Sequence, residues 1–589
     1  MAESAMPKGQ NNGILTKPQS AMTHNHQAPA RPTLSRSLLP LRLLAALVVS
    51  ITLAACAATQ APVAAPGALA ASSRPKLIVF LVVDGLPQRQ ITGYRDQLAP
   101  DGLARFLDRG AWFANAHYGH SFTVTAAGHA TMLTGAYPHR TGIIGNDWRD
   151  AQTGEPEYCT GDTSATYIGH ATDKLDGTSP KNLKVETVGD VLRRLDPRSR
   201  VIAISGKDRG AILPGGKTGT AYMYMEDGEF ASTTFYMKEH PAWVNAYNGR
   251  HLAASYFKKM WTPVLPPAAY ANDLADDQPW YGPAGGKLPM MMGGANDSAP
   301  RPGFYRSLLK GPFADIMTLE FARAAIAGEA LGQDDAPDIL AVSLSGHDYV
   351  NHAYSAESRM SHDHLLQLDR MLQDFFRDLD AAVGKDNYVA LLTADHGFTP
   401  APEYSASLGK DAGRVDMAGA LLRVNAALEK TFGQPRLVRG YSGSGLLLDR
   451  KRVADAKLDA AVVTEAARTA LLAEPGIGAA YTRAEFMSGS KAGAPYFAQM
   501  EKSWNKDVSG EVQFVFKPNW IAGSSPATHG SPYETDTQVP ILMYGPRWIK
   551  PGRVDVRVEE VDIAPTLSAI LGVPAPSANE GKVLPLPGL

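Results

Sequence analysis

From Lys76 onward the chain alternates uninterrupted apolar runs with stretches whose apolar positions recur every three or four residues. Leu77-Ile78-Val79-Phe80-Leu81-Val82-Val83 is the clearest run. It has no polar residue to face water and many β-branched side chains, so it predicts a central strand covered on both faces. Val201 to Ser205, Ile339 to Leu344, Tyr388 to Leu392 and Val539 to Tyr544 repeat that type. Leu365, Leu368, Leu372, Phe375 and Leu379 recur at helical spacing, and Leu319, Ala322, Ile326 and Ala330 do so ahead of a stop signal at Gly332. Strands and helices in alternation predict an α/β fold, a three-layer sandwich with helices on both faces of a mostly parallel central sheet.

Two stretches break this rhythm. Residues 211–311 are rich in Gly, Pro, Tyr and Trp with few periodic apolar faces, and residues 399–523 are a second irregular region. Both are expected to be insertions forming a cap over the carboxyl end of the sheet. Glu511 to Phe516 alternates polar and apolar residues, which predicts an antiparallel strand with one wet face.

Residues 1–75 have a different character. Arg31, Arg36 and Arg42 lead into the apolar run Leu43 to Ala55, too short to span a bilayer but suited to a signal-peptide core, so residues 1–55 are expected to be a signal peptide. Leu53-Ala54-Ala55-Cys56 resembles the lipobox of bacterial lipoproteins, which implies cleavage before Cys56, lipid on its sulfur, and a place in the periplasm or on the outer membrane. The competing expectation is an ordinary exported protein cut within Ala64 to Ala71, and Met22 is an alternative start. Residues 56–75, rich in Ala, Pro, Gly and Ser, predict a flexible tether ahead of one large domain over 76–589.

Composition narrows the function. At 589 residues and 44% hydrophobic the chain can bury a large core, and a net charge of −2 from 57 basic and 59 acidic residues disfavours nucleic acid as a partner. With Cys56 lipidated or removed, Cys159 is left without a pairing partner. Glu157-Tyr158-Cys159-Thr160 offers no base beside it, so an inert thiol is expected. A monomer is expected.

The candidate chemistry lies at strand ends. Asp84 and Asp395 follow apolar runs directly and Asp348 lies just past one, where open α/β sheets place their ligand crevice. A carboxylate buried there is costly unless paired or bound to a cation. Asp348 and His352 share a face if that segment is helical, Asp395-His396-Gly397 places two ligand types side by side, and Thr528-His529-Gly530 adds a late imidazole. Thr125, in Val124-Thr125-Ala126-Ala127-Gly128-His129, stands where a helix begins, a position that attracts a phosphoryl group. Each motif alone has an ordinary structural explanation; their joint occurrence predicts a two-cation hydrolase. His129 is expected to pack in its helix, and His362-Asp363-His364 to open a long helix with capping and solvent exposure as its explanation. His347 is left open between an inert role and tuning of the site.

This ordered series closely resembles the alkaline phosphatase superfamily, specifically the exported, threonine-nucleophile, phosphate-irrepressible alkaline phosphatases. The resemblance runs from about Lys76 to the C-terminus and includes Thr134-Gly135-Ala136-Tyr137-Pro138-His139-Arg140-Thr141-Gly142, Gly530-Ser531-Pro532-Tyr533 and Asp562-Ile563-Ala564-Pro565-Thr566-Leu567. It implies an alkaline phosphatase-like fold and two Zn²⁺ ions. Asp348, His352 and His529 would hold one; Asp84, Asp395 and His396, with Thr125, would hold the other. Iron or manganese also suits such ligands. It further implies a phosphate clamp of Asn146, Lys207 and Arg209, small-molecule phosphate monoesters as substrates, and a phosphothreonine intermediate at Thr125. Lys207 and Arg209 sit two apart after a strand, so both could meet one phosphate dianion.

Asn351 departs from the pattern, since such relatives carry a small residue before the ligand histidine. A phosphodiesterase or nucleotide pyrophosphatase of the same superfamily is the alternative, and a non-catalytic surface-binding lipoprotein is the second. A sulfatase is disfavoured because no Cys-x-Pro-x-Arg-like motif holds the nucleophile position, and a mutase-like relative would carry serine there and prefer manganese.

Overall fold

The computed structural model describes residues 74–282 and 285–587. The run Leu43 to Ala55, Cys56 and nearly all of the expected tether lie outside the described residues. At the centre is a nine-stranded sheet. Its strands in chain order are β1 (Leu77–Val83), β2 (Ala111–Phe113), β3 (Val201–Ser205), β4 (Thr220–Tyr224), β5 (Phe230–Ala231), β6 (Asp338–Leu344), β7 (Tyr388–Thr393), β8 (Ile541–Tyr544) and β9 (Gly552–Val554). They lie side by side as β9-β2-β8-β7-β1-β6-β3-β4-β5. β1 pairs in parallel with β6 and β7, β6 with β3, β3 with β4, and β2 with β9. Only β8 and β5 run against the rest of this sheet.

The helices that position the site are α1 (Thr125–Thr134), α2 (Asp208–Gly215), α3 (Pro312–Gly328), α4 (Gly346–Tyr354), α5 (Arg359–Ala382) and α6 (Ile563–Leu571). Every residue of β1 is buried, and its side chains divide between two cores as the pleat requires. Leu77, Val79, Leu81 and Val83 pack with Phe321 of α3 and with Leu365, Leu368, Leu372, Phe375 and Leu379 of α5. Ile78, Phe80 and Val82 pack with Met132 of α1, Ile212 of α2 and Leu567 of α6. The sandwich therefore has three layers, and each fully buried aliphatic side chain in it contributes about 1.5–3 kcal/mol of transfer free energy.

Several boundaries differ from the sequence expectation for identifiable reasons. β8 begins at Ile541 rather than Val539, because Pro540 lacks a ladder N–H. α3 ends at Gly328, and Ala330 takes a left-handed φ of 51° beyond it. Ala211 belongs to α2, and Thr220–Tyr224, placed by composition in an irregular insertion, is a strand of the main sheet.

The 399–523 stretch is more regular than its sequence suggests. Strands Val438–Ser442, Gly445–Leu448, Val512–Phe516 and Ile477–Thr482 form an antiparallel sheet in that spatial order. The helices Met417–Phe432 and Ala460–Leu472 share with it a separate core containing Val424, Leu428, Leu446, Val463, Leu471 and Phe514. The wet face expected on Val512–Phe516 is covered, because Val515 packs with Phe486, Phe497 and Trp504.

His362, Asp363 and His364 also depart from expectation: they lie in the first turns of α5 but are buried, not solvated. Trp261 Nε1 and Tyr270 O–H, from the first insertion, each donate to Asp363 over 2.6 Å. The insertion thus covers the start of this helix. Among the described residues, no helix is long and apolar enough to cross a membrane.

Candidate active site

β7, β1, β6 and β3 are neighbours and parallel, so their carboxyl ends open on one crevice. Asp84 follows β1, Asp395 and His396 follow β7, Asp348 and His352 lie on α4 just after β6, and Lys207 and Arg209 follow β3. His529 comes from a loop near the C-terminal end. The sequence separates these residues widely; the parallel register brings them to one place.

The cluster is tight. Asp348 Oδ1 lies 3.3 Å from His352 Nε2, 3.6 Å from His529 Nε2 and 4.0 Å from His396 Nε2. His396 Nε2 is 3.6 Å from Asp84 Oδ1 and 3.5 Å from Asp395 Oδ2. The ligand atoms fall into two groups suited to a cation, Asp348–His352–His529 and Asp84–Asp348–His396, with Asp348 common to both. Asp395 lies beside the second group rather than within it; its Oδ1 accepts from Gly85 N–H at 3.0 Å.

Each imidazole is held with one nitrogen turned inward. His352 Nδ1 bonds Ala527 O at 3.0 Å, His529 Nδ1 bonds Thr123 O at 2.8 Å and His396 Nδ1 bonds Gly397 O at 2.9 Å. Such carbonyl contacts select the tautomer whose Nε2 lone pair faces a metal. Burial pushes His352 and His529 below the ordinary histidine range, towards the neutral form that ligates. Among the described residues, Asp84 Oδ1, Asp348 Oδ1, Asp395 Oδ2 and His396 Nε2 are buried without a hydrogen-bond partner. Burial and the adjacent charge of Asp395 push the Asp84 carboxyl well above its usual range. For Asp348 burial acts in the same direction, but His352 and Lys207 outweigh it and hold that carboxyl well below. Three carboxylates crowded this closely, with unpartnered oxygens and oriented imidazoles, fit divalent cations.

Lys207 is drawn into the cluster rather than standing clear of it. Its Nζ lies 2.7 Å from Asp84 Oδ2 and 2.6 Å from Asp348 Oδ2. Burial disfavours its charge, yet the two carboxylates keep its pKa above the ordinary lysine value. Arg209 Nη1 donates to Tyr158 O–H at 3.1 Å, and Tyr158 O–H donates to Asp208 Oδ1 at 2.8 Å. Lys207 and Arg209 line a cavity of about 510 Å³ together with Tyr349 and Tyr305.

Thr125 is the first residue of α1 and is buried. The side chain of Asn146 reaches the same helix end, its Oδ1 accepting from Ala126 N–H at 2.9 Å. Sequence reasoning assigned His129 to helix packing alone, but its Nδ1 is 2.9 Å from Thr125 O and 3.3 Å from Asp395 Oδ2, and its Nε2 is 2.8 Å from Ser343 Oγ. It joins the start of α1 to a carboxylate of the cluster. Its spacing of four from Thr125 is the only local signal for that role. Cys159 is buried, and its thiol is pushed up to about 12 by burial and the nearby Asp208 charge, as suits an inert side chain.

Comparison with known proteins gives the family and the fold. The type I phosphodiesterase / nucleotide pyrophosphatase family matches residues 78–532. The chain is 33% identical over 518 residues to alkaline phosphatase PafA of Elizabethkingia meningoseptica, spanning 86% of this chain and 94% of that protein. It is 34% identical over 532 residues to alkaline phosphatase PhoV of Synechococcus elongatus, spanning 87% and 92%. The crystal structure of wild-type PafA matches with a TM-score of 0.79 at 32% identity, over 86% of this chain and 98% of that one. A PafA variant changed at a threonine, an asparagine, a lysine and an arginine matches with a TM-score of 0.80 at 32% identity, over the same shares. The chain belongs to the type I phosphodiesterase / nucleotide pyrophosphatase family, in the alkaline phosphatase superfamily, and is a hydrolase of phosphoric esters.

Proposed function

We propose that this chain is a two-zinc alkaline phosphatase that hydrolyses phosphate monoesters through a phosphothreonine at Thr125. The observation that carries the proposal is the convergence of Asp84, Asp348, Asp395, His352, His396 and His529, with the buried Lys207 and the partly buried Arg209 beside them and a helix start at Thr125. The PafA variant adds support. Its altered lysine and arginine are two positions apart, as are Lys207 and Arg209, and its threonine and asparagine have the same separation as Thr125 and Asn146.

Asp348, His352 and His529 would hold one cation, and Asp84, Asp395 and His396 the other, with the Thr125 hydroxyl beside it. Bound cations would supply Lewis-acid stabilisation of the entering and departing oxygens. Thr125 Oγ attacks phosphorus in line as the leaving oxygen departs opposite, its hydroxyl proton ending on the released alcohol by way of solvent; water then attacks phosphorus in a second in-line step, one of its protons returning to Thr125 Oγ as that oxygen leaves and the other staying on the released phosphate. With cations held at Asp84 and Asp348, the Lys207 ammonium would be free to meet the equatorial phosphoryl oxygens, together with Arg209 and the start of α1 at Asn146. Two cationic side chains favour a monoester dianion over a diester monoanion.

Thr125→Ala tests this directly. It should lose most turnover of an aryl phosphate while retaining both zinc ions by elemental analysis; undiminished turnover refutes the nucleophile, and faster cleavage of a bis-ester than a monoester by wild type refutes the substrate class. Export and lipid attachment at Cys56 belong to the same proposal, supported by Leu53-Ala54-Ala55-Cys56. Equal recovery of wild type and Cys56→Ser in the membrane fraction would count against the anchor.

A further inference from the structure

Asn351 is buried between two ligand-bearing segments and is not itself a ligand. It stands three residues after Asp348, so in α4 it shares the side of that carboxylate, and it directly precedes His352. Its Nδ2 donates to Gly85 O at 3.0 Å, and its Oδ1 accepts from Ser361 Oγ at 2.5 Å. Gly85 N–H in turn donates to Asp395 Oδ1. The peptide groups of this one glycine are therefore bonded to segments carrying four of the ligands, while Asp84 precedes it. The fit is close: Gly85 has φ +71°, and a Cβ added there would lie 3.2 Å from Asp348 Cα, Cβ and Oδ1.

The amide of Asn351 is braced from behind. Ser361 Oγ accepts from Gln90 Nε2 at 2.7 Å, and Gln90 Oε1 is 2.8 Å from His347 Nε2. His347 adjoins Asp348 on α4, so the chain of contacts leaves α4 at Asn351 and returns to it at His347. A buried polar network satisfied end to end has one low-energy arrangement, and here that arrangement sets the distance from the Asp84 turn to α4. A small residue at 351, as in the pattern this chain resembles, would leave Gly85 O without this donor.

We infer that Asn351 is a positioning residue that locks the Asp84–Gly85 turn to the helix bearing Asp348 and His352, and so sets the spacing of the two cation sites. The inference rests on the two-cation reading above. Zinc affinity, by competition with a chromogenic chelator, and steady-state kinetics at saturating zinc should be measured for wild type, Asn351→Ala, Asn351→Gly, Asn351→Asp and Ser361→Ala. Loss of an outer hydrogen bond of this kind weakens metal binding by about 10–100-fold, and that range is expected at the weaker site in Asn351→Ala and Asn351→Gly. With the sites filled, kcat should still fall by about tenfold or more while KM stays within about threefold, since spacing affects the transition state more than binding. Asn351→Asp keeps the acceptor but sets an oxygen against Gly85 O, so it should fall at least as far; Ser361→Ala should move the same way by less.

Wild-type zinc affinity and kcat in Asn351→Ala overturn the inference, as does a loss of thermal stability with both unchanged. If Asn351→Ala does not fold, Ser361→Ala decides, and unchanged zinc affinity there overturns it. Absence of monoesterase activity in zinc-loaded wild type would instead refute the phosphatase reading, and the affinity measurements would still report on Asn351.

Discussion

Gly128→Ala separates helix propensity from site geometry. Gly128 lies one turn into α1 after Thr125, and a Cβ built on it falls 2.1 Å from Asp395 O and 2.9 Å from Asp395 C and Cβ. The clash is with backbone at the end of a central strand, not with a flexible side chain, so relief requires α1 and the Asp395 segment to part by about 1 Å, the overlap that must be removed for ordinary contact. In an unconstrained helix the change would stabilise by about 1 kcal/mol; overpacking costs about 1–3 kcal/mol, so modest destabilisation is expected. The larger effect falls on catalysis. A 1 Å displacement of a reacting group costs on the order of 100-fold, because Thr125 moves with α1 relative to Asp395 and His396. kcat/KM on an aryl phosphate at saturating zinc, paired with thermal unfolding, gives the readout. Gly93→Ala, where nothing lies within 4 Å of the added atom, is the control and should match wild type. A Gly128→Ala enzyme with kcat/KM within threefold of wild type, or with a raised Tm, would show that α1 does not pack on Asp395 as described.

Two further predictions use buried groups away from the cations. Burial raises the Asp315 carboxyl to about 7, so its protonated form is favoured in the folded state; the stability this gives is full below the unfolded value near 3.8 and is lost as pH rises through 7. In Asp315→Asn the amide can accept from Gly346 N–H and donate to His364, so the variant should gain on wild type by about 3 kcal/mol in unfolding free energy between pH 5 and 8.5; a pH-independent difference refutes this. Cys159, buried with its thiol at about 12, should resist iodoacetamide at pH 8 in the folded enzyme and react after unfolding; labelling of native protein as fast as unfolded would contradict the burial.

Much of this architecture is written locally. The run Leu77–Val83 is buried on both faces because five of the strand-like segments lie in a sheet whose faces are both covered, and apolar continuity states that directly. Motifs at strand ends were legible for the same reason: a polar residue directly after such a run marks the edge of the core. The edge strand Gly552–Val554 and its neighbour Ala111–Phe113 were not legible, being only 3 residues each and defined by their partners rather than by a pattern of their own. His362, Asp363 and His364 looked solvated because the insertion that covers them is remote in sequence. The partners of His129 and of Asn351, the latter visible in the sequence only as a departure from the family pattern, were hidden for a related reason. Their roles consist of contacts to Thr125, Asp395, Gly85 and Ser361, and nothing in residue type alone reveals such partners.

The bond between His529 and the carbonyl of Thr123 joins positions 406 residues apart. During synthesis, Thr125 and its helix emerge long before this imidazole exists, so a nascent chain carries the start of α1 beside an unfinished cluster of carboxylates and imidazoles. Ester cleavage must then wait for nearly the whole polypeptide.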